Sequence, residues 1–122
     1  MWKYIYIKKV IHIKKINILK NNRDFNRIIG TLKPNRYKDF VIYLEKDTNE
    51  KYHFGISVGK KIGNAVTRNK YKRRIKSIID KNNYQNGFNC IIILKRSILE
   101  REFEEIEKSL IKAFSELKII KE

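Results

Sequence analysis

The sequence predicts an α+β sandwich: a mixed sheet of about four strands with three helices in two layers, in the order α-β-β-(β)-α-β-α. Three observations support this class. Tyr52, Phe54, Ile56 and Val58 alternate with His53, Gly55, Ser57 and Gly59, the period of a half-buried strand. The period then turns helical, with Tyr71, Ile75, Ile78 and Ile79 at i, i+4, i+7 and i+8. Phe88–Lys95 follows as FNCIIILK, a continuous apolar run of strand length that fits a central strand. Strand, helix and strand in that order make a β-α-β unit.

Composition bounds the rest. At 122 residues the chain is one domain, and 42% hydrophobic content suffices for a small core. The formal net charge of +16 calls for nucleic acid or an anionic membrane surface as partner. No apolar run approaches the roughly 18–20 residues of a span, which weakens the membrane reading. Cys90, the one cysteine, cannot form an internal disulfide, which fits a reducing cytosol; it reads as a small buried hydrophobe. Residues 1–13 read as an N-terminal extension and 14–122 as a single domain carrying the nucleic-acid-binding surface. The first ten are an added strand, a flexible arm, or the product of a start chosen too far upstream. Lysines at 8, 9, 14 and 15 interrupt any signal-peptide centre, so secretion is rejected.

The elements follow in order. Asn21 or Asn22 can cap a helix whose apolar face is Phe25, Ile28, Ile29 and Leu32, limited by Gly30 and Pro34. Tyr37–Lys46 is a strand apolar on both sides. Asp47-Thr48-Asn49-Glu50 signals a turn, and the strand is expected to form an antiparallel hairpin with Lys51–Val58. Gly59 and Gly63 mark a turn before Asn64, a candidate N-cap of the next helix. Lys81–Gly87 is a polar loop. Leu99–Leu117 is a helix with Phe103, Ile106, Leu110, Ala113, Phe114 and Leu117 on one face and five glutamates in its first turns, where the dipole favours them.

Charge concentrates in the middle helix. From Lys51 through Ile79 there are nine Lys or Arg and no Asp or Glu. Asn69, Lys72, Arg73 and Lys76 project together, Lys70 and Arg74 extend that side, and Arg68 sits nearer the apolar edge. With a single acidic residue at i±3 or i±4 of any of these cations, Asp80 four after Lys76, the helix repels itself, a cost easiest to understand if a polyanion binds there. A solvated face is the bland alternative. The absence of interleaved Glu, and the forked hydrogen-bonding groups of Arg and Asn among the Lys, suited to phosphate and base edges, favour a bound polyanion.

Gly55–Lys76, GISVGKKIGNAVTRNKYKRRIK, resembles the signature of the bacterial ribonuclease P protein component. That signature is a strand ending in Ser-Val, two lysines, Gly-Asn-Ala-Val, then Arg-Asn-x-x-Lys-Arg on a helix. Lys70 stands where the family commonly has Arg, and Arg74 where it is usually apolar. A weaker likeness runs from about Lys14 to Leu117. Asp24-Phe25 matches the family's Asp-Phe pair, Ile29 occupies the place of a second aromatic, and Tyr43 matches its Phe-Val-x-Tyr strand. The resemblance implies a protein subunit of an endoribonuclease that removes the 5′ leader of precursor transfer RNA, the hydrolysis being performed by the RNA subunit with bound Mg2+. It implies that Lys60, Lys61, Asn64, Arg68, Asn69, Lys70, Lys72, Arg73 and Lys76 face the ribonuclease P RNA. Phe25, Ile29 and Tyr43 would face the leader, core packing being the competing reading for Phe25 and burial in the sheet face for Tyr43. It also implies a left-handed β-α-β crossover. The expected partners are the RNA subunit and precursor tRNA, in a one-to-one complex in the cytoplasm, without a membrane.

The residues themselves show no catalytic constellation. His12 and His53 are single and far apart, and no Cys-x-x-Cys, His-x-Glu or phosphate-loop spacing occurs. Glu100, Glu104 and Glu107 share a helix face, but capping and solubility explain them without a metal. No protein catalytic or metal-binding residue is assigned. The rival reading is a structural RNA-binding protein, such as a ribosomal protein, with no role in cleavage.

Overall fold

The computed structural model describes residues 18–19, 22–48 and 51–121. Its elements are α1 (Asn22–Thr31), β1 (Asn35–Arg36), β2 (Phe40–Lys46), β3 (His53–Ser57), α2 (Ala65–Asp80), β4 (Phe88–Leu94) and α3 (Phe103–Glu116), the predicted order. The expected extension at 1–13 lies outside the described residues, as does Asn21; Asn22 is itself the first residue of α1.

The sheet order is β1-β2-β4-β3. β4 runs antiparallel to β2, from Phe40↔Leu94 to Lys46↔Phe88, and parallel to β3, from His53↔Asn89 to Ser57↔Ile93. The expected hairpin of 37–46 with 51–58 is therefore corrected: β4 stands between those strands. Burial explains the arrangement, because six of the seven β4 residues are buried. Such a strand needs cover on both faces and backbone partners on both edges. Pairing β2 directly with β3 would have left it at the rim. β1 closes the other side of β2, and Tyr37–Asp39 makes the tight link between them, so β2 starts at Phe40 rather than Tyr37. At the opposite edge Ile18 bridges Phe54, and the Leu19 N–H donates to the Phe54 carbonyl at 2.9 Å.

The pleat sends alternate residues to opposite faces. Phe40, Ile42, Phe54, Cys90, Ile92 and Leu94 form the main core with Tyr71, Ile75, Ile78 and Ile79 of α2 and Ile106, Leu110, Ala113 and Phe114 of α3. Cys90 is fully buried there, and burial pushes its thiol far above its ordinary range. α1 lies on the other face, which carries Tyr43, Gly55 and Ile91.

The last helix starts at Phe103, not Leu99. Arg96–Glu100 is a 3-10 turn that buries Ile98, and Arg101 and Glu102 are extended. The Glu105 carboxylate then accepts from the Glu102 N–H at 2.9 Å, satisfying one open donor of the helix start. Glu102 and Glu105 thus cap the helix, whereas Glu107 pairs with Lys81 at 3.2 Å.

Candidate nucleic-acid interface

Two surfaces emerge, one cationic and one aromatic. The cationic surface begins at a 3-10 turn, Lys60–Ile62, whose Ile62 is buried and leaves Lys60 and Lys61 exposed. Gly63 follows at φ +152°, and a Cβ on it would meet Thr67 at 3.1 Å, so glycine is required there. Asn64 caps α2, its side-chain oxygen accepting from the Thr67 N–H at 3.0 Å. No acidic residue occupies the first turn of α2, so the positive end of the helix dipole adds to the lysines beside it.

Along α2, Asn69, Lys70, Lys72, Arg73 and Lys76 are exposed. Among the described residues none of the basic side chains from Lys60 to Lys76 is in a salt bridge; the four that occur are Arg27–Asp24, Arg27–Glu45, Lys81–Glu107 and Arg101–Asp39. Arg74 is half-buried over the Tyr71 ring, 5.4 Å from its centroid, so it is partly withdrawn from the surface that its neighbours form. Arg68 is half-buried at the apolar edge, as its phase predicts, with a buried Nε that has no partner.

The aromatic surface lies between α1 and the sheet. Phe25 is half-buried on Gly55: a Cβ built there would lie 3.3 Å from Phe25 Cε2 and 3.5 Å from Ile91 Cγ1. Tyr43 sits across from Ile91 in the β2–β4 register, so Tyr43, Ile91 and Gly55 form one row beneath α1. Ile29, one turn after Phe25, is also half-buried. The fold therefore brings Phe25 and Tyr43 to one face, as their assignment to a common cleft requires. α2 packs on the opposite face, so the two surfaces belong to different layers.

Some residues of these surfaces carried no assignment in the sequence. Val66 is 76% exposed beside Asn64. Its signal is its phase, since it is apolar but off the stripe of Tyr71, Ile75, Ile78 and Ile79. Beside the Tyr43 row runs a polar row, Glu45–Asn89–His53, given by the same registers. Arg27 of α1 reaches it, donating from its two terminal nitrogens to the two Glu45 oxygens at 2.7 and 3.1 Å. Nothing in the sequence pairs residues so far apart. A second unassigned group is Asp39, 7% exposed, which accepts from Ser97 Oγ at 2.7 Å and Arg101 Nε at 2.8 Å and ties the β1–β2 link to the turn before α3.

The family model described as Ribonuclease P matches residues 13–118. The ribonuclease P protein component of Mycoplasma capricolum is 43% identical over 110 residues, covering 87% of this chain and all of that one. Its counterpart from Bacillus cereus is 38% identical over 107 residues, covering 85% and 90%. The structure resembles the RNase P protein of Staphylococcus aureus, with a TM-score of 0.74 at 30% identity over 88% of this chain and 100% of that one. It also resembles the RNase P protein from Thermotoga maritima, with a TM-score of 0.71 at 27% identity over 79% and 93%. These likenesses favour the ribonuclease P reading over a ribosomal or other scaffold protein. Among the described residues no helix is long and apolar enough to cross a membrane.

Proposed function

Because this chain belongs to the ribonuclease P family, we propose that it works as the protein subunit of that endoribonuclease, holding the RNA subunit with one face and the 5′ leader of precursor tRNA with the other. Lys60, Lys61, Asn64, Arg68, Asn69, Lys70, Lys72, Arg73 and Lys76 contact the folded RNA subunit, mainly at phosphates. Phe25, Ile29 and Tyr43 contact the leader, whose unstacked bases suit an aromatic surface. The RNA subunit carries the hydrolysis with its own Mg2+, and the protein supplies no catalytic residue. The assembly is one protein to one RNA, in the cytoplasm.

The observation that carries this reading is the separation of the two chemistries. Cations without stacking groups lie on α2, and Phe25 and Tyr43 lie across the sheet from them. A general RNA-binding scaffold needs the charge but not a second, aromatic surface of its own. The cationic face also gives the protein its effect on the reaction. It replaces part of the counterion demand of two polyanions brought together, so less magnesium is needed.

The test is reconstitution with a bacterial ribonuclease P RNA at low magnesium, comparing Phe25→Ala with a Lys72→Ala, Arg73→Ala, Lys76→Ala triple variant. Phe25→Ala should lose preference for precursor over mature tRNA while assembling nearly normally. The triple variant should assemble poorly and keep its preference in whatever complex forms. If Phe25→Ala lowers stability by several kcal/mol, about the cost of truncating a core Phe, and leaves discrimination intact, Phe25 is a packing residue and the leader binds elsewhere.

A further inference from the structure

The polar row beside the aromatic surface fixes the chemistry of His53. Arg27 donates to both Glu45 oxygens. Glu45 Oε1 also accepts from Asn89 Nδ2 at 2.8 Å. The Arg27 fork, and then the Asn89 bond, hold the Glu45 carboxyl below the usual carboxylate range against the opposing effect of burial, so Glu45 is an ionised acceptor. An acceptor-only carboxylate dictates the orientation of the Asn89 amide, with its nitrogen toward Glu45 and its oxygen toward His53. Asn89 is 7% exposed, so the orientation is held by packing as well as by hydrogen bonds.

His53 Nδ1 lies 3.0 Å from Asn89 Oδ1. An amide oxygen only accepts, so Nδ1 must carry a proton and donate. The neutral imidazole has one ring proton, which leaves Nε2 as a bare acceptor on the ring edge turned away from Asn89. Among the described residues Nε2 has no partner. His53 is half-buried and next but one to Gly55, on the same face of β3, the glycine on which Phe25 packs. A relay from α1 through β2 and β4 to β3 thus ends in an oriented acceptor beside the aromatic surface.

We propose that His53 is a further leader contact, its Nε2 accepting a hydrogen bond from a donor on the single-stranded RNA: a ribose 2′-hydroxyl or a base amino group. The assignment rests on the reading of the Phe25–Tyr43 surface as the leader site. It adds a fixed acceptor to a surface that otherwise offers aromatic faces and the Tyr43 hydroxyl. Stacking tolerates any base, whereas a fixed acceptor requires a donor at one position.

The experiment uses the holoenzyme, reconstituted with a bacterial ribonuclease P RNA, and a precursor tRNA with an all-adenosine single-stranded leader. Affinities for precursor and mature tRNA are measured with wild type, His53→Phe, His53→Gln and, in parallel, Phe25→Ala. His53→Phe should weaken precursor binding about fivefold to tenfold, the factor that goes with one ordinary hydrogen bond, and leave mature tRNA unaffected. His53→Gln, whose amide oxygen can take the place of Nε2, should restore most of it. Leaders with a single 2′-deoxy nucleotide, or with purine riboside for a single adenosine, identify the donor. One such leader should reproduce the loss with wild type and add nothing with His53→Phe. No loss with His53→Phe, an equal loss for mature tRNA, or additive losses for every altered leader would overturn the proposal. If Phe25→Ala abolishes leader discrimination and His53→Phe does not, the leader surface stands and His53 is no part of it. If neither variant changes discrimination, the leader surface is wrong and the assignment of His53 goes with it.

Discussion

The contact between Phe25 and Gly55 sets the gap between α1 and the sheet, and a methyl group at Gly55 tests it. The new Cβ would lie 3.3 and 3.4 Å from two Phe25 ring carbons and 3.5 Å from Ile91 Cγ1. Carbon pairs are most stable at about 3.5–4.0 Å, so the ring must retreat by a few tenths of an ångström. Overpacking of this sort costs about 1–3 kcal/mol. Replacing glycine inside a strand returns about 0.5–1 kcal/mol of backbone entropy. Gly55→Ala should therefore destabilise the wild-type chain by up to about 2.5 kcal/mol in a urea melt. With Phe25→Ala as background the obstacle is gone and the same change should stabilise by about 0.5–1 kcal/mol. The coupling is then about 1–3 kcal/mol, well outside the roughly 0.3–0.5 kcal/mol within which independent sites add. Additive effects would show that Phe25 does not rest on Gly55, and the geometry of the leader surface would fall with it.

Arg73→Ala should flatten the slope of log affinity against log salt for the RNA subunit by about 0.7–0.9, one phosphate contact, from about −4 to −5 if six form; an unchanged slope makes Arg73 a solvated residue. Asn64→Ala should cost about 1 kcal/mol of stability through loss of the cap, read by thermal melting. Asp80 tests linkage: burial raises its carboxyl to about 7, against the opposing pull of Lys76, and its Oδ1 is buried without a partner. Between pH about 4 and 7 the folded chain therefore binds more protons there than the unfolded chain, and stability falls as pH rises through that window. Asp80→Asn should remove this slope and be more stable than wild type at pH 8 by about 1 kcal/mol, a figure reduced for its half exposure. Urea melts at pH 5 and pH 8 that show the same difference between the two proteins would refute the titration of Asp80.

What the sequence disclosed follows from range. The stripe of Tyr71, Ile75, Ile78 and Ile79, the Asn64 cap and the alternation of 52–58 are local patterns, and each appears in the structure as read. The position of β4 was also local, because FNCIIIL is apolar at both parities and such a strand belongs in the middle. The hairpin expectation failed because a turn signal at 47–50 says that the chain reverses, not which strand it then pairs with. Inserting β4 between β2 and β3 satisfies the same reversal and covers the most apolar strand. The start of α3 was misplaced because Leu99, four residues before Phe103 and seven before Ile106, keeps the helical phase while Arg101 and Glu102 leave helical backbone. The Arg27–Glu45–Asn89–His53 row was illegible, since its members come from four elements and only the sheet register aligns them.

α2 shows how the molecule reconciles a strong core with a surface that repels itself. Arg68–Lys72, Lys70–Arg74 and Lys72–Lys76 are like-charge pairs at i,i+4, each costing about 0.2–0.5 kcal/mol. Together with the i,i+3 pairs they amount to about 1–2 kcal/mol. Four apolar side chains, Tyr71, Ile75, Ile78 and Ile79, are buried on the other side, at about 1.5–3 kcal/mol each. Burial wins by several-fold, so the cations can be left without acidic partners and the helix still forms. The constraint shows at Arg68, which lies where the two sides meet. Its stem shares the apolar edge while its Nε is buried without an acceptor, a deficit of about 1–3 kcal/mol that a packed apolar residue would not carry. A position that gives up stability inside a helix otherwise so well anchored is better understood as holding its guanidinium for a partner than as packing. On this argument Arg68, more than the freely exposed lysines around it, is the cation whose position is fixed before the RNA arrives, and it should tolerate Lys least of the series.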